Sequence, residues 1–265
     1  GGVTAICPAP RTDPSMKHAE PWPHGANVMD LDGPERIVVV AHRGDSGNHP
    51  ENTRAAFEAA VALRVECIEL DVHLSRDGEL VIIHDDRVDR TSDGSGEVSD
   101  LTWSQIKTLD AGLWFGAAFA GERFLTLDEA LELIPEPIRL NVHIKTSAET
   151  LESVTRSTVS ILHKRGLLER AYVAGDETTL SMARSECEHI EICNLSVLPA
   201  EDYVARSASI GCRILQPGHA MTDTALVEAA HARHMLVFPF FADEPDEMQR
   251  LIDCGVDGIL TNEPQ

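Results

Sequence analysis

Basic residues are scarce in this chain. Lys and Arg number 22 against 44 Asp and Glu, for a net charge of −22. That balance disfavours DNA or RNA as a partner, because phosphate-backbone binding is built on basic contacts, and an acidic surface also repels anionic lipid headgroups. A phosphate-bearing substrate would therefore need a local cation, either a metal ion or a few placed Arg and Lys. No apolar run approaches the ~20 residues needed to span a bilayer, so no transmembrane segment is expected. The six cysteines (Cys7, Cys67, Cys187, Cys193, Cys212 and Cys254) include no CxxC pair and no zinc-ribbon spacing. Cys67 and Cys212 sit in apolar stretches and read as small buried thiols. Cys187 with Cys193 is the one pair to consider for a disulfide. Residues 1–35, rich in Pro, Gly and His, lack the apolar core of a signal peptide. They read as an N-terminal extension to a domain over 36–265. A cytoplasmic location is the expectation, or a periplasmic or secreted one if a leader has been removed. No internal repeat is visible, and nothing in the residues speaks to oligomeric state.

What is present is an alternation of strands and helices. The apolar run 37–41 suits a strand buried on both faces and stops at His42-Arg43-Gly44-Asp45. Pro50-Glu51-Asn52-Thr53 leads into a helix over 54–63, with Asn52 or Thr53 as its cap. Strands are then expected over 67–74 and 80–84, joined by a two-residue turn at Asp77-Gly78. After a loop-rich insertion over about 86–125, which carries a short helix at 102–109, come a helix at 127–133 and the strand 139–145. Helix 149–165, strand 171–174, helix 177–186 and strand 190–195 follow. Strand 212–216, helix 223–234, strand 235–240, helix 245–253 and strand 257–261 close the chain. Strands and helices in this rhythm argue for a parallel α/β architecture. Setting aside the hairpin strand leaves eight strands in a body of ~250 residues, which matches a (β/α)8 barrel. A doubly wound sheet would call for a glycine-rich phosphate turn after the first strand, and His42-Arg43-Gly44 is not one.

Side chains alternate along a strand, so Glu69 and Asp71 share one face with Cys67 and His73, while Ile68, Leu70 and Val72 share the other. With Asp77-Gly78 as the turn, His84 falls opposite Asp71, at a Cβ separation of roughly 4.5–5.5 Å. On the strand 139–145, Asn141, His143 and Lys145 face inward at successive heights. In a barrel these groups and His42-Arg43 converge on one mouth. Two carboxylates on one face suit a hard cation such as Mg2+ or Ca2+. Histidines beside them suit acid–base work near neutral pH. Arg43 and Lys145 suit a phosphate, and Lys145 could also neutralise Glu69. Glu51 and Asn52 read as supports for the loop after the first strand as readily as substrate contacts. The sum is metal-assisted cleavage of a phosphate ester.

The run His42-Arg43-Gly44, Pro50-Glu51-Asn52-Thr53, Glu69-Leu70-Asp71-Val72, Asp77-Gly78 and His84-Asp85 closely resembles the glycerophosphodiester phosphodiesterase family. Arg90-Thr91, Leu109 to Gly112, Leu125 to Glu129 and Gly255 to Asn262 resemble it too, in order and spacing, over about residues 37–264. The resemblance implies a TIM-barrel hydrolase that cleaves small glycerophosphodiesters to glycerol 3-phosphate and an alcohol. It implies His42 and His84 as the catalytic pair, Glu69 and Asp71 as metal ligands, and Arg43 and Lys145 as phosphate contacts. Two departures stand out. Where the family strand reads E-I-K, this chain has His143 in the third ligand position, which moves metal preference toward Mn2+, Co2+ or Zn2+. Where the family has W-T-V-N late in the chain, this one reads Phe240-Phe241-Ala242-Asp243, with Phe240 as the surviving aromatic wall. The alternative functions are a lipid-directed hydrolase of lysophospholipase D type, with an apolar rim near Trp114, Phe115 and Phe119, and a non-catalytic phosphate-binding barrel.

Overall fold

A computed structural model describes residues 37–195 and 198–265. The N-terminal extension expected over 1–35, Cys7 with it, lies outside the described residues. Among the described residues eight parallel strands run in the order β10-β1-β2-β5-β6-β7-β8-β9. They are β1 (Val38–His42), β2 (Cys67–Leu74), β5 (Arg139–Ile144), β6 (Ala171–Gly175), β7 (Glu191–Asn194), β8 (Ile214–Leu215), β9 (Leu236–Val237) and β10 (Gly258–Thr261). Backbone hydrogen bonds from Asp257 N to Val237 O (3.0 Å) and from Leu260 N to Pro239 O (2.9 Å) join the two ends into a barrel. The (β/α)8 architecture expected from the strand count is the one observed.

Alternation along the strands divides the core into two layers. Val38, Val40, Cys67, Tyr172, Ala174, Cys193, Ile214, Phe238 and Leu260 point into the barrel and fill its interior. Their neighbours, among them Ile68, Leu70, Val72, Leu140 and Val142, point outward and pack under the helices. Those helices are α1 (Arg54–Leu63), α3 (Leu127–Leu133), α4 (Leu151–Lys164), α5 (Glu177–Glu186), α6 (Ala200–Ser209), α7 (Thr224–His231) and α8 (Pro245–Asp253), with the one-turn α2 (Trp103–Ile106) in the insertion. The interior is closed by apolar side chains below and left polar at the carboxyl ends of the strands, as barrel enzymes require.

Four features differ from the sequence reading. The strand β3 (Leu80–Ile82) pairs with β2 in the register Leu74↔Leu80 and Val72↔Ile82, one residue away from that expected. The connection is not a two-residue Asp77-Gly78 turn but a three-residue loop. Gly78 N donates to Ser75 O (3.0 Å) and Ser75 N to Glu79 O (2.9 Å), with Gly78 at φ 88°, the pattern of a type I turn followed by a left-handed glycine. Asp71 therefore faces Ile83, whose N donates to Asp71 O (3.1 Å), and not His84. A further short strand, β4 (Leu125–Thr126), pairs antiparallel with β3 and brings the chain back after the insertion. Third, α6 was not anticipated. Finally, Cys193 is a free thiol whose Sγ lies 3.1 Å from Gln216 Oε1, which rules out the Cys187–Cys193 disulfide.

Candidate active site

The mouth of the barrel holds a cavity of about 480 Å³ lined by His42, Arg43, Glu69, His84, Asn141, His143, Lys145, Gln216, Phe240 and Phe241, among others. Its first wall is the turn that ends β1. Arg43 adopts φ 58° and Gly44 φ 84°, so two consecutive residues are left-handed, which is costly for arginine and free for glycine. Glycine is obligatory at the second position for another reason. A Cβ there would lie 2.6 Å from the backbone carbon of Ala56. The tight turn lets Asp45 N donate to Ala56 O (3.0 Å) and Asn52 N donate to Arg43 O (3.0 Å), locking the loop onto α1.

The second wall is the pair β2 and β5, whose register sets Glu69 beside Asn141 and Asp71 beside His143. Glu69 and Asp71 are both buried. Glu69 Oε2 accepts from Arg43 N (3.0 Å). Asp71 Oδ2 accepts from Asn52 Nδ2 (3.0 Å) and lies 3.4 Å from Arg43 Nε. Asp71 Oδ1 is 3.1 Å from His143 Nδ1 and 3.2 Å from Lys145 Nζ, yet receives no well-directed hydrogen bond. Lys145 pairs directly with Asp71, and its charge also acts on Glu69 in the sense of the neutralisation reading. Burial, and then repulsion from Asp71, push the Glu69 carboxyl well above the usual carboxylate range. Burial pushes on Asp71 in the same direction, but His143, Lys145 and Arg43 outweigh it and hold Asp71 well below its ordinary value. A buried pair of carboxylates in this state is what a bound cation relieves. One ligand atom each from Glu69, Asp71 and His143 lies within 4.8 Å of the others. Two carboxylate oxygens and one imidazole nitrogen, with the Asp71 Oδ1 atom lacking a hydrogen bond, form a donor set that fits a divalent ion.

The histidines differ in their backing. His42 Nδ1 lies 2.8 Å from Asn262 Oδ1, and Asn262 is fixed by donation from its Nδ2 to Asp243 Oδ2 (2.7 Å). An amide oxygen can only accept, so the Nδ1 proton is held there and Nε2 is left as the base, 4.0 Å from Glu69 Oε2. Burial, reinforced by the Arg43 charge, lowers His42 to about 4. Phe241 stacks on the imidazole, with centroids 5.6 Å apart. His84 is more open, and its Nδ1 meets the Asp85 carboxylate at 2.7 Å. His73 Nε2 is spent on His84 O (3.1 Å), a structural role.

The structure gathers His42, Arg43, Glu69, His84, His143, Lys145 and Phe240 around one cavity, with Asp71 buried behind Glu69 and His143. Glu51 and Asn52 stand behind the wall. Asn52 braces Asp71, and Glu51 Oε1 accepts from Arg43 Nη1 (2.9 Å). Sequence reasoning did not assign roles to Asn262, Asp243, Phe241, Asp85, Arg90 or Gln216. For Asn262 a signal existed. It follows the buried run Ile259-Leu260-Thr261 as His42 follows Val38–Ala41, and β10 lies beside β1 in the register Ala41↔Thr261.

A (β/α)8 barrel with paired histidines, carboxylates and cations at its mouth defines a barrel hydrolase of phosphate diesters. The model of the glycerophosphoryl diester phosphodiesterase family matches residues 42–265. The chain belongs to that family, and so to the phosphoric diester hydrolases. It is 37% identical over 232 residues to the glycerophosphodiester phosphodiesterase of Caldanaerobacter subterraneus, covering 87% of this chain and 96% of that one. It is 29% identical to the glycerophosphodiester phosphodiesterase of Bacillus subtilis, over 90% of this chain and 88% of the relative. Among solved structures it resembles an Oleispira antarctica phosphodiesterase in complex with the product sn-glycerol-3-phosphate. The TM-score is 0.80 and the identity 29%, over 86% of this chain and 93% of the other.

Proposed function

We propose that residues 36–265 form one catalytic domain that hydrolyses small glycerophosphodiesters to glycerol 3-phosphate and an alcohol. The observation that carries this reading is the convergence of His42, His84, Glu69, Arg43 and Lys145 on one cavity of about 480 Å³, with Asp71 buried behind it against Arg43 and Lys145. Glu69, Asp71 and His143 are the residues that would hold a divalent ion. When bound, that ion offsets the negative charge of substrate and carboxylates and polarises a phosphoryl oxygen. The carboxylate pair favours Mg2+ or Ca2+, and the His143 nitrogen makes Mn2+, Co2+ or Zn2+ the alternatives. Arg43 and Lys145 bind the phosphoryl oxygens and stabilise the charge that develops there. His42, neutral through burial and with Nε2 free, takes the proton of the attacking oxygen, which is either water or the glycerol 2-hydroxyl, the latter giving a transient cyclic phosphate that water then opens to glycerol 3-phosphate. His84, with its Nδ1 proton on Asp85, delivers a proton from Nε2 to the departing alcohol oxygen as its bond to phosphorus breaks. Phe240 walls the alcohol side.

The test is release of glycerol 3-phosphate from glycerophosphocholine after stripping with EDTA, with each of the five ions added back. Turnover restored by a divalent ion is the expected result, and no release with any ion would overturn the reading. A lipid-directed activity of lysophospholipase D type draws support from exposed Leu113 and Trp114 on the insertion together with exposed Phe240 and Phe241 at the cavity. Co-sedimentation with zwitterionic vesicles, abolished in a Leu113→Ser, Trp114→Ser double variant, tests it.

A further inference from the structure

Arg90 has no part in the reaction just described and does not line the cavity. It comes from the segment after β3, and its guanidinium grips two carboxylates at once. Nε and Nη2 donate to Asp85 (2.6 and 3.0 Å), while Nη1 and Nη2 donate to Glu51 (2.8 Å each). Each carboxylate has its other partner inside the site. Asp85 Oδ1 holds His84 Nδ1 at 2.7 Å, and Glu51 Oε1 holds Arg43 Nη1 at 2.9 Å. An unbroken chain thus runs His84–Asp85–Arg90–Glu51–Arg43, from one side of the cavity to the other. The Trp114 ring covers the guanidinium, with its centroid 6.0 Å from Cζ. Isolated surface ion pairs contribute little, but this one is different in kind. Glu51 is only 12% exposed, and the planar fork of arginine fixes direction as well as distance.

We propose that Arg90 is a positioning residue that orients His84 and Arg43 together, with Asp85 and Glu51 as its two arms. The proposal rests on the roles given above to those two side chains. Without Arg90, Asp85 keeps His84 but loses the partner that fixes its own direction, so imidazole and carboxylate can swing together toward solvent. Glu51 loses two of its three donors and draws Arg43 away from Asp71. Both movements displace groups that act on the reacting phosphate, and displacements of about an ångström cost rate steeply. Lysine cannot replace this arginine, because a single ammonium cannot span two carboxylates with directed pairs.

The test measures kcat, KM and melting temperature for Arg90→Gln and Arg90→Lys on glycerophosphocholine. We expect kcat to fall about 10–100-fold in both, with KM changing far less, and guanidinium ion added to Arg90→Gln to restore part of kcat without raising its melting temperature. Arg87→Gln, which loses an exposed pair with Asp89 on the same segment, should leave kcat unchanged. A tether that only holds the insertion would lower the melting temperature of Arg90→Gln and leave kcat near wild type, and that result would overturn the proposal. So would full rescue by Arg90→Lys. Where Arg90→Gln does not fold, Arg90→Lys alone carries the same expectation for kcat. His84→Ala and Arg43→Ala are measured alongside. Wild-type turnover in those two would sink the site assignment itself, whereas a wild-type kcat in Arg90→Gln beside an inactive His84→Ala sinks only the positioning role.

Discussion

Asn52 is where the left-handed backbone and the buried charge meet. It adopts φ 58°, a conformation asparagine tolerates better than most residues. It is 2% exposed, donates from Nδ2 to Asp71 Oδ2 and accepts from Asp71 N. Asn52→Ala would leave a buried carboxylate short of a donor, so a loss of about 1–3 kcal/mol is expected from the urea midpoint. An unchanged midpoint would mean that Arg43 and Lys145 suffice to hold Asp71. At the same scale, His42→Ala should fold normally and lose nearly all turnover, as a positioned base contributes about 10²–10⁴-fold. A variant keeping more than about a tenth of the wild-type rate would remove His42 from the pair. The inward placement of Glu69 and Asp71 was legible in the sequence because a two-residue period fixes which side chains share a face. The partner of His42 was not. Asn262 is 220 positions away, and only closure of the barrel brings β10 beside β1.

At the scale of elements, legibility followed hydrophobic contrast. The strands at 37–41 and 67–74 stood out as apolar or alternating runs, and each is found nearly where it was expected. Helix α6 did not stand out. Its buried face includes Tyr203, Val204 and Ser207, but its start follows Pro199 with no side-chain cap to mark it. The β2–β3 hairpin was placed correctly and registered wrongly. Asp77-Gly78 marks a turn whether the loop has two residues or three, and the choice is made by Ser75, whose Oγ accepts from Glu79 N (2.9 Å) and donates to Asp77 Oδ1 (2.8 Å). His84 still reaches the cavity, because β3 ends at Ile82 and the chain bends toward the mouth. The β1–α1 turn gives a sharper test. Gly44→Ala adds a left-handed penalty of about 1–2 kcal/mol to a backbone clash of about 1–3 kcal/mol. A combined loss of about 2–5 kcal/mol is expected in denaturant melts. A variant within about 1 kcal/mol of wild type would show that the loop relaxes at no great cost and that Gly44 is not what shapes the turn.

Apart from a few buried carboxylates such as Glu69 and Asp71, the described acidic groups lie toward the surface, while a second set of weak acids sits in the interior and makes stability fall in alkali. Burial pushes the thiols of Cys67 and Cys212 up to about 12. It also raises the Cys193 thiol and the Tyr172 and Tyr203 phenols well above their ordinary values. In the unfolded chain the thiols ionise near ~8.5 and the phenols near ~10. Above about pH 8.5 the unfolded chain therefore releases protons that the folded chain keeps. Fewer protons bound to the unfolded state means that stability declines as pH rises. The contribution of these groups is complete below pH ~8 and is lost progressively toward pH 12, by up to ~1.4 kcal/mol per pH unit for each thiol. Urea midpoints taken with a phosphine reductant present should hold steady from pH 7 to 8 and drop between pH 9 and 11. Cys212→Ala isolates one term. It gives up some packing at neutral pH, but its midpoint should fall less steeply with pH than that of the parent. Parallel curves for parent and variant would mean that the Cys212 thiol ionises in the folded barrel as readily as in the unfolded chain, and that its burial between β7 and α6 is looser than its packing suggests.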